Sequence, residues 1–317
     1  MTNECTSSQL RAWAPAKVNL FLEVLARRED GYHEIETLMV AVNLYDTLDF
    51  VADAEGSLRL TCQWAVGFRP RDASARQSID SIPAGEENLV VQAVQLLRQE
   101  AGCRHGARMH LCKRIPAAAG LGGASSDAAA ALLTANRAWR LNWPLERLTP
   151  IAAQLGSDVP FFLQPVPAVC RGRGERIEPV ELAGPLHLVI VRPPTGLATG
   201  EVYRQCRPAD RAESVRSMVS ALRHGGPAAI GDRLLNRLQP AAEELNEWIE
   251  RLRHELDRFD LYGHQMSGSG SSYFGICQHA RHARRVAERL RLRRLGRVIC
   301  ARTDRFSRCH DASSRPR

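Results

Sequence analysis

Twelve residues constrain this chain more than any others: Pro116-Ala117-Ala118-Ala119-Gly120-Leu121-Gly122-Gly123-Ala124-Ser125-Ser126-Asp127, which run straight into the alanine-rich stretch up to Trp139. Three glycines in four positions let the backbone curl tightly, so that successive N–H groups converge on one spot. A helix mouth just beyond adds partial positive charge there. The combination makes an anion site suited to phosphates. It is not a Walker A loop, because no G-K-[ST] closes it, nor does it match G-x-G-x-x-G after a core strand. Ser125 and Ser126 can donate to a phosphate or help hold a Mg²⁺. A plain capped helix would explain Ser126 or Asp127 but leaves the glycines unexplained.

A second loop, Ser267-Gly268-Ser269-Gly270-Ser271-Ser272, joins two strand-like segments, and by itself reads equally well as a hairpin turn. Asp158 stands in Gly156-Ser157-Asp158-Val159-Pro160, where the proline is expected to hold the residue before it extended and the glycine to allow a close approach. A carboxylate held there can take a proton from an alcohol or merely cap a turn. Asp30-Gly31-Tyr32-His33 is a turn with an aromatic and an imidazole attached, a common surface pattern. Of 43 basic residues, 41 are Arg, and the two Lys are Lys17 and Lys113. In a chain that writes Arg almost everywhere, a Lys points to a place where a compact ammonium is needed and a planar fork does not fit.

The 317 residues give room for about two domains, and 44% hydrophobic with 25% charged residues is an ordinary globular mixture. No apolar run approaches the roughly 18 residues of a membrane helix, and the first ten residues do not resemble a secretory signal, so a cytoplasmic protein is expected. The nine cysteines are scattered, without C-x-x-C or a histidine at ligand spacing, and read as reduced thiols; no metal-ligand set is predicted. The formal charge of +8 is concentrated between Arg281 and Arg297, where eight Arg face one Glu288. That segment has the spacing of an amphipathic helix with a solvated basic face, binding to RNA or to an anionic surface being the alternative.

Hydrophobic periodicity predicts strands over 11–25, 32–42, 47–51, 108–113 and 186–191, and a strand pair within 264–277. Helices are expected over 87–100, 127–139, 145–155, 212–223, 228–238 and 241–256, followed by the basic helix. Residues 63–85 read as an irregular surface insertion. The pattern is α+β in two lobes: 1–166, 167–301 and a polar tail at 302–317.

Taken in order, Pro15-Ala16-Lys17-Val18-Asn19-Leu20, Asp30-Gly31-Tyr32-His33, the glycine loop, Gly156-Ser157-Asp158-Val159-Pro160 and Ser267-Gly268-Ser269-Gly270 resemble the motif set of the GHMP kinase superfamily. Within it, the pairing of A-K-x-N-L with D-G-Y-H is similar to the 4-diphosphocytidyl-2-C-methyl-D-erythritol kinases. The resemblance spans roughly residues 13 to 300. It implies a two-lobed fold with an N-terminal lobe like domain 2 of ribosomal protein S5 and a ferredoxin-like C-terminal lobe. It also implies ATP with Mg²⁺ as cofactors, and phosphorylation of the 2-hydroxyl of 4-diphosphocytidyl-2-C-methyl-D-erythritol in non-mevalonate isoprenoid precursor synthesis. Mevalonate and homoserine kinases share the glycine loop and are the nearest alternatives. By the same resemblance, Lys17 and Asp158 would be the catalytic pair. Pro116, Gly120, Leu121, Gly122, Gly123, Ser125 and Ser126 would hold the ATP phosphates. Asn19 would touch the erythritol, Tyr32 would stack on cytosine with His33 at its edge and Tyr203 on the other side, and Gly268 and Gly270 would shape the loop beside the acceptor. The implied partner is a small molecule, with no nucleic acid and no membrane, acting on a monomer or homodimer. Ala124 departs from the glycine usual there and is tolerable if its φ is negative.

Overall fold

In the computed structural model, which describes residues 9–68 and 82–303, the apolar N-terminal run forms two long antiparallel strands, β1 (Leu10–Arg27) and β2 (His33–Asp53), joined by a turn at Asp30-Gly31. From Ala14 to Val24 every residue of β1 is buried, which is why the run is nearly continuous instead of alternating. Two strands were expected between Tyr32 and Val51; one is found. The polar residues Asn43 and Asp46 that suggest a break are absorbed as ligands: Asn43 Oδ1 accepts the Arg302 amide at 2.8 Å, and Asp46 lies within the core. A register shift opposite Pro15/Ala16 takes up the irregularity.

Next come β3 (Leu58–Trp64), α1 (Leu89–Ala101), β4 (Gly106–Lys113), α2 (Gly123–Ala138), α3 (Leu145–Leu155) and the short α4 (Val159–Leu163). β5 (Ala168–Gly172) and β6 (Arg176–Pro179) complete a sheet whose main path is β3-β4-β2-β1, with β5 also paired to β2. The large sheet therefore continues past residue 166, to Pro179. Leu97, Leu111, Leu132 and Phe161 lie in the core that α1 and α2 close against it.

The second half contains β7 (His187–Arg192), α5 (Thr199–Gln205), α6 (Arg216–Ser220), a π-helical turn at Ala221–Gly225, α7 (Gly226–Gly231), β8 (Leu235–Asn236), α8 (Gln239–Leu245) and α9 (Glu247–Leu256). β9 (Gly263–Met266), β10 (Tyr273–Cys277), α10 (Ala280–Leu292) and β11 (Arg297–Arg302) follow. β7, β9, β10 and β11 form an antiparallel sheet in the order β11-β7-β10-β9, with helices between its first and second and its third and fourth strands. That is the ferredoxin-like arrangement. β8 instead joins the large sheet, parallel to β1.

Several expected boundaries move. The single helix over 241–256 is two helices, because the Asn246 side chain caps α9 by accepting the Trp248 amide. The helix expected over 228–238 ends early and yields β8. β11 begins at Arg297, so the basic segment is a helix and a strand, and Arg302 is not part of a tail. β3, β5, β6 and β11 were not anticipated. The expected tail from residue 304 and most of the 63–85 insertion lie outside the described residues. Parts of the basic segment serve packing: Arg289 stacks on Phe259, Arg291 reaches the Val298 carbonyl, and Arg297 donates to the Phe68 carbonyl at 2.8 Å. Among the described residues no helix is long and apolar enough to cross a membrane, and no group of three or more His, Cys, Asp or Glu is placed to hold a metal.

Candidate active site

A cavity of about 720 Å³ opens between the lobes, and every predicted site residue except Leu121 and Ser126 lines it. Those two lie just behind its wall. Both are buried, and Leu121 ties the loop to β1 by accepting the Lys17 amide at 2.9 Å.

The glycine loop is shorter than expected. Its φ reaches +71° at both Gly120 and Gly122, where a side chain would be strained, and the chain enters α2 at Gly123 instead of Asp127. Ala124 is therefore helical, with negative φ, and the departure from glycine costs nothing. No side chain caps α2. Ser126 N already bonds the Gly122 carbonyl, so the first-turn amides of Gly123, Ala124 and Ser125 have no intrahelical acceptors. They are left as convergent donors at the mouth of a sixteen-residue helix, the arrangement that an anion site requires.

The second loop packs directly on the first. Ser267 Oγ donates to the Gly120 carbonyl at 3.0 Å and Ser272 N to that of Ala119 at 3.1 Å. A Cβ on Gly120 would lie 2.0 Å from the Ser267 carbonyl oxygen, and one on Gly268 would lie 3.1 Å from Lys17 Nζ. Asn236 on β8 fixes this loop from below by donating to the Met266 and Gly268 carbonyls, both at 2.8 Å.

Lys17 projects from β1 between the two loops. Its ammonium donates to Asn19 Oδ1 at 2.6 Å and stands 3.5 Å from Asp158 Oδ2. Asn19 is oriented in turn by donating to Thr37 Oγ1 at 2.8 Å. Asp158 directly precedes α4 in helical conformation (φ −86°, ψ −14°), and Val159 is helical too, contrary to the extended backbone expected before Pro160. Pro160 occupies the first turn, where its missing N–H costs no hydrogen bond. The Lys17 side chain is buried while that of Asp158 is one-third exposed to the cavity, so one partner is enclosed and the other is open to the cavity.

On the far side, Tyr32 is half exposed, with the Arg173 guanidinium 4.7 Å over its ring. His33 and Tyr203 have ring centroids 5.1 Å apart. Burial, with a smaller push from Arg27, lowers the His33 pKa, which favours the neutral imidazole. Burial raises the Tyr203 phenol, helped by nearby Asp158.

Sequence reasoning undervalued one cluster behind the loop. Lys113 at the end of β4 lies 2.5 Å from both Asp46 and Asp127 and is buried with them. Burial alone would lower its pKa, but the pull of Asp127 and Asp46 outweighs it and raises the ammonium pKa. Burial also raises the Asp127 carboxyl, against the opposing pull of Lys113. Asp46 additionally accepts the amides of Arg114 and Ile115, locking β4 and the loop that follows to β2. The scarcity of Lys pointed to position 113, but nothing in the local sequence pointed to Asp46.

The GHMP kinases N terminal domain family matches residues 88–164, and the GHMP kinases C terminal family matches residues 218–294. The chain is similar to 4-diphosphocytidyl-2-C-methyl-D-erythritol kinase of Pelotomaculum thermopropionicum, 40% identical over 284 residues, 89% of this chain and 94% of that one. It is similar also to the enzyme of that name from Shouchella clausii, 36% identical over 88% of this chain and 89% of the other. Among solved structures, a 4-(cytidine 5'-diphospho)-2C-methyl-D-erythritol kinase superposes with a TM-score of 0.74 at 38% identity, covering 92% of this chain and 98% of that one. Homoserine kinase from Cytophaga hutchinsonii shares the fold, with a TM-score of 0.71 at 18% identity over 96% of this chain and 97% of its own.

Proposed function

This chain belongs to the 4-diphosphocytidyl-2-C-methyl-D-erythritol kinase family of GHMP kinases, and we propose that it transfers the γ-phosphoryl group of ATP to the 2-hydroxyl of 4-diphosphocytidyl-2-C-methyl-D-erythritol, a step of non-mevalonate isoprenoid precursor synthesis. The observation that carries this reading is the 3.5 Å pairing of Lys17 with Asp158 at the mouth of an uncapped helix, opposite the Tyr32, His33 and Tyr203 cluster. In the reaction, the acceptor hydroxyl oxygen attacks the γ-phosphorus as its proton passes to an Asp158 carboxylate oxygen, and ADP leaves. Lys17 offsets the charge that gathers on the attacking oxygen and the γ-phosphate oxygens. Little covalent work falls to the protein; alignment and charge stabilisation carry the rate. Asn19 orients the erythritol end, Tyr32, His33 and Tyr203 hold the base, and Pro116, Gly120, Leu121, Gly122, Gly123, Ser125 and Ser126 shape the phosphate cradle.

The donor chemistry behind the loop fits Mg²⁺. Ser126 Oγ and Asp127 Oδ1 are buried hard oxygens without a hydrogen-bond partner among the described residues. Mg²⁺ is usually held by one or two carboxylates and the nucleotide's own phosphates, so a three-ligand protein cluster is not required. When bound, the ion supplies neutralisation of the β- and γ-phosphate oxygens. On this reading the protein works in the cytoplasm on a small molecule, as a monomer or homodimer, without nucleic acid.

The test is ADP release by purified protein with the cytidylated methylerythritol acceptor, beside mevalonate and homoserine. Turnover confined to the cytidylated acceptor is expected. Turnover with mevalonate or homoserine alone would overturn the proposal.

A further inference from the structure

The proposed acceptor carries two negative charges in a diphosphate between its cytidine and its sugar alcohol. A site that holds the base at one end and the hydroxyl at the other must accommodate those charges between them. Among the described residues, four Lys or Arg line the cavity: Lys17, Lys113, Arg173 and Arg204. Lys17 is committed to Asp158, and Lys113 to two carboxylates. Arg204 lies at the rim, exposed, donating to the Gly200 carbonyl and facing Glu201 at 4.0 Å. Arg173 differs from all three. Among the described residues no carboxylate lies within 4 Å of its guanidinium, whose contact is with the face of Tyr32 at 4.7 Å. Asp30, whose pKa Arg173 helps to lower, is itself held by Arg28 and by the Tyr32 amide.

Its position is fixed by the turn between β5 and β6. Gly172 and Gly174 flank it with φ of +77° and +123°, and the Arg173 amide donates to Glu175 Oε2 at 2.7 Å. A Cβ on Gly174 would lie 3.8 Å from Asp158 Oδ1. The turn that carries Arg173 thus approaches both the aromatic that would hold the base and the carboxylate that would meet the hydroxyl, which puts its guanidinium within reach of the diphosphate that would join them. A guanidinium presents a planar fork matched to paired phosphate oxygens, and stacking on Tyr32 pre-orients it at little entropic cost.

The geometry points to Arg173 as the residue that binds the acceptor's diphosphate and so makes the site specific for a cytidine diphosphate derivative over a bare cytidine or an uncharged alcohol. This rests on the function proposed above and names the group in that site that reads the charge.

The test compares wild type with Arg173→Gln and Arg173→Lys, using cytidine and CDP as inhibitors against acceptor at saturating ATP, together with full kinetics for acceptor and ATP. Loss of a charge-assisted phosphate contact should raise the CDP inhibition constant and the acceptor KM of Arg173→Gln by about 10- to 100-fold. The cytidine constant, the KM for ATP and kcat should stay within a few-fold, and Arg173→Lys should recover part of the loss. Unchanged CDP inhibition in Arg173→Gln overturns the assignment. So does an equal loss for cytidine and CDP, which would make Arg173 only a support for the Tyr32 ring. If wild type is inhibited by neither compound and leaves the acceptor unphosphorylated, the proposed function itself fails, and this assignment with it.

Discussion

Gly120→Ala tests whether the two glycine loops must touch for catalysis. The substitution carries two separate costs. An alanine at φ +71° pays for the left-handed backbone, about 1–2 kcal/mol. Its Cβ would also sit 2.0 Å from the Ser267 carbonyl oxygen and 3.0 Å from that of Gly270, both backbone atoms that no rotamer change can move away. Restoring ordinary contact requires the loops to part by roughly 1 Å or more, and displacement on that scale can cost about 10²-fold in rate. The same motion stretches the Ser267-to-Gly120 and Ser272-to-Ala119 hydrogen bonds. Gly102→Ala isolates the first cost: Gly102 ends α1 at φ +59° with nothing within 4 Å of a built Cβ. Both variants should lose stability in a thermal melt, Gly120→Ala more, whereas kcat should fall by about 10²-fold only in Gly120→Ala. Equal melting shifts and wild-type kcat in both would show that the loop contact is incidental.

Replacing Lys113 with Met leaves Asp46 and Asp127 buried without their cation, and unfolding in urea should show a loss of about 3–5 kcal/mol; a loss under 1 kcal/mol would remove the cluster from the stability account. Glu23, buried inside β1, meets burial that raises its pKa, but hydrogen bonds from Arg237 and from the Glu213 and Val24 amides outweigh this and leave it lowered. A lowered folded-state pKa means that its contribution is full above the unfolded value and is lost as pH falls through the folded one. Glu23→Gln should therefore cost about 2–3 kcal/mol at pH 7, less than a fully buried pair because Arg237 is 25% exposed. The gap to wild type should narrow as pH falls below about 4.3, the ordinary Glu value, and close through the lower folded-state one; a gap independent of pH would contradict the assignment.

Much of the site was legible in the sequence because its chemistry is written locally. The glycine loop, the Lys17 and Asn19 alternation on one strand and the Asp158 motif each confine their residues within a few positions, and the fold brings all three to one cavity. What stayed hidden is held by long-range pairing. Asp46 acquires its role only when β4 brings Lys113 beside it, 67 positions away, and Asn236 reaches the second loop only because a two-residue strand adds to β1. Arg173 lies in a Gly-Arg-Gly turn that reads as surface, since its neighbour Tyr32 is remote in sequence. The α2 boundary was misplaced because capping preferences favour Ser or Asp at a helix start, whereas here a left-handed glycine starts the helix and leaves its amides free for an anion. The basic segment was partly misread because β11 is short and arginine-flanked, and its pairing with β7 cannot be read from hydrophobic periodicity.

The central claim is that Asp158 and Lys17 act together on the acceptor oxygen. Single-turnover phosphoryl transfer by Asp158→Asn tests it most directly, with ATP affinity measured on the same protein by calorimetry. The account predicts ATP binding within a few-fold of wild type and a transfer rate at least about 10²-fold lower. A folded Asp158→Asn protein that transfers phosphate at the wild-type rate would contradict it.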